Sequence, residues 1–164
     1  MLMKIRNENE DKWVVFDLDG TLADISQRRG LSDLGSGKID WDSFFEPSNI
    51  DLDTPKGDVI HMLRLLWSTG HNIAILSGRS MSTEEQTKEW LRRYEVPYHL
   101  LRMRPTTKTF MYMPDDKLKR LWLEELWPGD NKKNIICVFD DRDRVVKMWR
   151  EMGLTCFQVE EGNF

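Results

Sequence analysis

Residues 14–24 read VVFDLDGTLAD, an apolar run that ends in Asp17 and Asp19, with Gly20 and Thr21 directly after. In an extended chain, side chains two apart leave the same face, so both carboxylates point the same way. A strand end needs one turn-forming polar residue, and a pair of like charges there requires a partner from elsewhere in the chain. Working outward, short apolar runs recur at 13–17, 72–76, 98–102, 134–139 and 155–159. Helical patterns lie between them at 55–69, 82–94, 114–127 and 142–152; in the first, Val59, Met62, Leu63 and Leu66 repeat at helical spacing. Proline opens two of these patterns and Gly70 and Gly153 follow two others, while Ser82 to Glu85 has the form of a capping box.

Continuous apolar strands alternating with amphipathic helices predict an α/β fold. Its five-stranded, mostly parallel sheet is covered by helices on both faces, and ligands bind at the carboxyl ends of the strands. Residues 24–54 break the rhythm with glycines, serines and the aromatic stretch DWDSFF, and are predicted to form an excursion over the strand ends with one short helix.

The 164 residues suit one domain, burying about two thirds of the unfolded surface. No apolar stretch approaches the roughly 20 residues of a membrane span, and MLMKIRNENEDK at the start lacks the apolar segment of a signal peptide. Cys137 and Cys156 sit in apolar, strand-like segments and are expected to be buried free thiols of a reducing compartment. The net charge of −4 does not mark a nucleic-acid binder, although a local basic cluster is compatible with it. These features predict a globular protein of the cytoplasm with no membrane partner.

The strand ends share a chemistry. The first carries Asp17 and Asp19, the second Ser77-Gly78-Arg79, the third runs into Arg102 and Arg104, and the fourth ends in Asp140-Asp141-Arg142. In a parallel sheet these groups converge on one edge. Four carboxylates together repel unless a divalent cation joins them, and hard oxygen ligands suit Mg²⁺. A metal-bound aspartate can attack phosphorus, giving an aspartyl-phosphate that water hydrolyses. A second aspartate can protonate the leaving oxygen and then deprotonate the water, a role that requires surroundings that raise its pKa. A serine hydroxyl and a cation can hold the non-bridging oxygens.

DLDGT, LSGR, a lysine on a later helix and FDDR, in this order, resemble the four motifs of the haloacid dehalogenase (HAD) superfamily of phosphotransferases. The resemblance implies a HAD-like Rossmannoid α/β/α fold with a minimal cap insertion at about 24–54. It makes Asp17 the nucleophile, Asp19 the general acid/base, Thr21 a support of the loop and Ser77 a phosphate ligand. Asp140 and Asp141 complete the Mg²⁺ site with Asp17 and the Asp19 backbone carbonyl.

DGTLAD…R, SGR, PDDKLKRLWLEEL and FDDRDRVVKMWREMGLTCFQVEEGNF are similar to the phosphatase domains of bacteriophage polynucleotide kinase/phosphatases, which remove 3′-phosphates from nucleic-acid ends. That likeness implies that Arg28 and Arg79 contact the substrate or its phosphoryl group, with Arg29 the alternative to Arg28. Lys119 would be the cation of the third motif and Asp115, four residues earlier, its orienting partner; Lys117 and Arg120 are alternatives by spacing. Arg102, Arg104 and Arg142 could line the approach.

No kinase domain is expected, because residues 30–39 lack a phosphate-binding-loop lysine at position 36; a kinase or ligase would be a separate partner. The favoured function is a Mg²⁺-dependent polynucleotide 3′-phosphatase acting on DNA or RNA ends, in the host cytoplasm if phage-encoded. Alternatives are a nucleoside-monophosphate phosphatase and a non-catalytic module that binds nucleic-acid ends or a partner. Trp41, Phe44 and Phe45 would either pack the excursion onto the body or stack a base.

Overall fold

A computed structural model describes residues 11–163; residues 1–10, where most of the signal-segment reading falls, lie outside the described residues. Strand β1 (Trp13–Phe16) has Val14, Val15 and Phe16 buried, as an apolar strand covered on both faces should. The chain then turns through Asp17 and Asp19 into β2 (Ala23–Asp24).

The excursion follows, with α1 (Ser26–Leu31), α2 (Trp41–Phe44) and α3 (Pro47–Ile50), and closes at β3 (Thr54–Pro55), antiparallel to β2. It holds three short helices where one was expected. Asp40 caps α2 by accepting from the amides of Asp42 and Ser43, and Pro47 opens α3 at its first turn. Helices of one turn are too short to show apolar periodicity, so local capping chemistry is their main mark.

The remaining elements are α4 (Gly57–Ser68), β4 (Asn72–Ser80), α5 (Glu84–Arg93), β5 (Leu100–Arg104), α6 (Lys108–Met111), α7 (Asp115–Leu126), β6 (Ile135–Asp140), α8 (Asp143–Glu151) and β7 (Cys156–Gln158). Helix α4 begins later than expected because Pro55 is taken into the β2–β3 ribbon.

The five long strands form one sheet in the order β5-β4-β1-β6-β7, with every pairing parallel. Strands β4 and β6 flank β1, so the winding reverses beside the carboxyl end of β1, where ligands bind in such sheets. Val15, Ala74 and Leu76 pack on one face against Leu118 and Trp122 of α7 and Val145 and Trp149 of α8. Val14, Phe16, Ile73 and Ile75 pack on the other against Val59 and Leu63 of α4 and Trp90 of α5. Cys137 and Cys156 are free and buried, one in each of these cores, on opposite faces of the sheet.

Two expectations are corrected here. Strand β4 continues past Leu76, so Ser77, Gly78 and Arg79 lie within it. Met103 pairs with Ser77 and Arg104 with Ser80, leaving a bulge at Gly78 and Arg79 that re-aims their groups. Because the strand runs on, Ser80 is the first hydroxyl at its exit, and it caps a short 3₁₀ turn (Met81–Thr83) by accepting from the Ser82 amide. The Ser82–Glu85 capping box is not formed; α5 starts from Thr83 without a side-chain cap. Among the described residues, no helix is long and apolar enough to cross a membrane.

Candidate active site

Three carboxylates meet at the carboxyl ends of β1 and β6. Ligand atoms of Asp17, Asp140 and Asp141 all lie within 4.8 Å of one another, and all three residues are buried. Lys119, projecting from α7, reaches between them and donates to Asp17 Oδ1 at 2.5 Å and to Asp140 Oδ2 at 2.8 Å. Lys117 and Arg120 are exposed, so the helix face selects Lys119 from the three candidates. Asp140 also accepts from Trp149 Nε1 at 3.1 Å and from the amides of Asp141 and Arg142, which fixes its plane.

Burial pushes Asp17 well above the ordinary carboxyl range, against the pull of Lys119, with Asp140 and Asp141 adding to the rise. Burial and the Asp140 charge push Asp141 up to about 6. Burial also works against the Lys119 ammonium, but Asp140 and Asp17 outweigh it and keep the lysine charged. Three carboxylates against one ammonium leave two negative charges uncompensated, and a hard divalent cation cancels them. The donor set therefore fits Mg²⁺.

The loop between β1 and β2 makes room for this cluster. Leu18 packs in the core between them, while Asp17 turns to Lys119 and Asp19 to Arg28 and Arg79. Gly20 has φ +88°, and a Cβ there would lie 2.2 Å from Asp141 Oδ2, so both its backbone conformation and its space exclude a side chain. Thr21 donates to Asp141 Oδ1 at 3.3 Å. Ser77 is fully buried at the bulge and its hydroxyl accepts from the Arg79 amide at 3.1 Å.

Asp19 departs from what its expected role requires. Arg28 donates to its Oδ1 at 2.9 Å, and Arg79 donates to the same oxygen from Nε, at 2.9 Å, and from Nη2. Burial opposes the charge, but these two guanidinium groups outweigh it and hold the carboxyl well below its usual range. The surroundings thus lower the pKa that acid catalysis needs raised.

Both arginines are completely enclosed and share a further partner, Asp53, just before β3. Arg28 meets its two oxygens at 2.9 and 3.0 Å, and Arg79 meets Oδ2 at 2.6 Å. Burial and the neighbouring Asp19 push Asp53 up to about 6, against Arg79 and Arg28. Arg79 also donates to Thr87. Arg28 donates to the Phe44 carbonyl and lies 4.2 Å over its ring, which ties α2 to the site.

The other arginines are divided. Arg104 donates to the carbonyls of Gly78, Phe110 and Met113 and pairs with Asp115. Asp115 also accepts from Arg142 at 2.5 Å. The expected Asp115–Lys119 contact is therefore replaced: the lysine turns inward to the carboxylates, and Asp115 faces two arginines. A Cβ at Gly78 would lie 2.7 Å from Asp115 Oδ1, so this glycine leaves space for that carboxylate. Arg102 pairs with Glu125 at 2.7 Å, and among the described residues no hydrogen bond joins it to the carboxylate cluster. Asp53, Thr87 and Trp149 were not singled out from sequence. Trp149 reads as helix core, and Asp53 as one more acidic residue of a loop.

Residues 11–164 match the family model for the phosphatase domain of polynucleotide kinase PNKP. A protein of Autographa californica nuclear polyhedrosis virus, named as a bifunctional polynucleotide kinase/RNA ligase, is 33% identical over 150 residues, 89% of this chain and 19% of that protein. A chain of the Pnkp1/Rnl/Hen1 RNA repair complex superposes with a TM-score of 0.76 at 34% identity, over 93% of this chain and 43% of that one. CbbY from Rhodobacter sphaeroides, solved with phosphate, gives a TM-score of 0.60 at 15% identity over 93% of this chain and 87% of its own, a likeness of fold alone. The chain thus spans about a fifth of the viral relative and less than half of the repair-complex chain.

Proposed function

The chain belongs to the family of polynucleotide kinase PNKP phosphatase domains, and from that premise we propose that it is a Mg²⁺-dependent 3′-phosphatase of polynucleotide ends. The observation that carries the phosphatase chemistry is the buried cluster of Asp17, Asp140 and Asp141 with Lys119 bonded inside it. The small excursion, three one- or two-turn helices, leaves a polymer end easier to admit than a full cap domain would. The names of the two relatives, an RNA ligase fusion and an RNA repair complex, favour RNA ends and a kinase or ligase as working partner.

In this reading Asp17 attacks phosphorus in line, the bond to the 3′-oxygen breaks, and Asp19 supplies a proton to that oxygen. Water then attacks the aspartyl-phosphate while Asp19 takes its proton, releasing phosphate and restoring Asp17. Lys119 and the Ser77 hydroxyl hold the non-bridging oxygens. Mg²⁺, held by Asp17, Asp140, Asp141 and the Asp19 carbonyl, would neutralise charge on the phosphoryl group. For Asp19 to act as an acid, Arg28 and Arg79 must turn part of their hydrogen bonding from its carboxylate to the arriving phosphate. That exchange raises the Asp19 pKa when substrate is in place.

The test is phosphate release with Mg²⁺ from a 3′-phosphorylated oligonucleotide, its 5′-phosphorylated twin, and free 3′- and 5′-nucleotides. Asp17→Asn serves as the blank and should lose turnover by about a hundredfold or more. Strong preference for the 3′-phosphorylated oligomer is expected. Equal activity on free nucleotides would make the protein a nucleotidase, and a tenth of wild-type rate in Asp17→Asn would refute covalent catalysis.

A further inference from the structure

Asp141 is enclosed by two glycines from distant parts of the chain. On its side-chain flank, a Cβ at Gly20 would lie 2.2 Å from Oδ2 and 2.6 Å from Cγ. On its main-chain flank, a Cβ at Gly162 would lie 2.3 Å from the Asp141 carbonyl oxygen and 2.8 Å from Arg142 Cα. Neither gap admits a methyl group. The second is the stricter, because backbone atoms cannot rotate aside as a side-chain tip can.

Within residues 158–162, Gln158, Val159 and Gly162 are bonded to the same turn. The Val159 amide donates to the Asp140 carbonyl at 3.1 Å, and Gln158 Nε2 donates to the Asp141 carbonyl at 2.8 Å and to Asp143 Oδ1 at 2.6 Å. The Gly162 amide donates to Asp143 Oδ1 at 3.3 Å, and its carbonyl accepts from the Asp143 amide at 2.8 Å. Glu160 pairs with Lys56, which donates to the Gly20 carbonyl at 2.9 Å, so the strap also reaches the loop of Asp17 and Asp19. Of these five residues, Val159 alone packs on an apolar core. Their contacts serve the turn that carries Asp140 and Asp141.

We infer that residues 158–162 are a positioning element of the active site: Gly162 and Gln158 set where Asp141 presents its carboxylate to a bound divalent cation. Mg²⁺ accepts ligands only in near-octahedral array at about 2.0–2.1 Å, so a displacement of a few tenths of an ångström in one carboxylate is felt directly. Groups that orient metal ligands typically change affinity by about 10–100-fold when removed. The inference rests on the Mg²⁺ site proposed above and is independent of which phosphoester the protein takes.

The experiment is calorimetric titration of Mg²⁺ into the wild-type chain, Gly162→Ala and Gln158→Leu, without substrate, with metal-free melting curves to establish folding. A loss of about tenfold or more in Mg²⁺ affinity is expected for Gly162→Ala, and a smaller loss for Gln158→Leu, both still folded. A folded Gly162→Ala with wild-type affinity overturns the inference. If Gly162→Ala does not fold, wild-type affinity in Gln158→Leu overturns it, and loss of fold in both variants overturns it in favour of a purely structural strap. A wild-type chain that binds no Mg²⁺ sinks the metal site itself, an outcome distinguishable from failure of the strap alone.

Discussion

Asp53 holds no place in the proposed chemistry, yet Arg28 and Arg79 both lean on it while they grip Asp19. Its side chain is fully enclosed, so its loss leaves two buried guanidinium groups sharing one carboxylate. Removing one member of such a buried network costs about 3–5 kcal/mol. Asp53→Asn is therefore expected to lower the urea midpoint sharply; a change equivalent to less than about 1 kcal/mol would mean that solvent reaches the arginines and replaces it. Asp17, Asp140 and Asp141, which the structure brings together, could be picked out from sequence because each sits in a short run whose residue types make sense only together. Lys119 needed a resemblance as well, and the structure separates it from Lys117 and Arg120 by burial. Asp53 was not legible, since its partners lie 25 and 26 residues away and nothing local distinguishes it from a turn aspartate. The lowered pKa of Asp19 was equally hidden, being set by where Arg28 and Arg79 point.

At the scale of elements, what could be read was what periodicity encodes. The five core strands and the four long helices are where the apolar pattern puts them, with ends displaced by a few residues at Pro55, beyond Leu76 and in the third strand, which runs from Leu100 to Arg104 rather than over 98–102. The excursion was legible only as an interruption, because its helices are held by Asp40, Pro47 and the Arg28–Phe44 contact rather than by an apolar stripe. Its aromatic residues differ in exposure. Phe44 is 7% exposed and packs against Phe45 and the Arg28 guanidinium, whereas Trp41 is 57% exposed with its ring beside both phenylalanines. Phe44→Ala should cost about 3–5 kcal/mol and lower the melting temperature by roughly 10 °C. Trp41→Ala should leave melting within about 2 °C, and if the ring stacks a base, raise KM for a 3′-phosphorylated oligonucleotide several-fold to about a hundredfold. Equal thermal losses in the two variants would assign Trp41 to packing, and an unchanged KM would remove it from substrate binding.

The whole molecule is a parallel sheet whose winding reverses at β1, and this topology gathers carboxylates from two strand ends into one buried place. Gathering them has a consequence for stability. Asp17 is raised well above the ordinary range and Asp141 to about 6, so without metal the folded state binds protons that the unfolded chain, with carboxyls near 4, has already released. A raised carboxyl stabilises the fold fully below its unfolded pKa and loses that contribution as pH climbs through its folded value. The metal-free cluster therefore favours folding most below about pH 4, and the Asp141 share of that contribution is lost as pH rises through about 6. In the proposed site Mg²⁺ would reverse the sign, since it would bind the ionised carboxylates and compete with the same protons. The melting-temperature rise produced by Mg²⁺ should accordingly be largest near neutral pH and shrink steeply below about pH 6. Melting curves at fixed Mg²⁺ and in chelator, from about pH 4.5 to 8, measure this difference and cancel the surface groups that titrate alike in both. A Mg²⁺ shift that stays constant across the range would mean that Lys119 alone keeps the cluster ionised, and that the charge left for a divalent cation is smaller than the geometry implies.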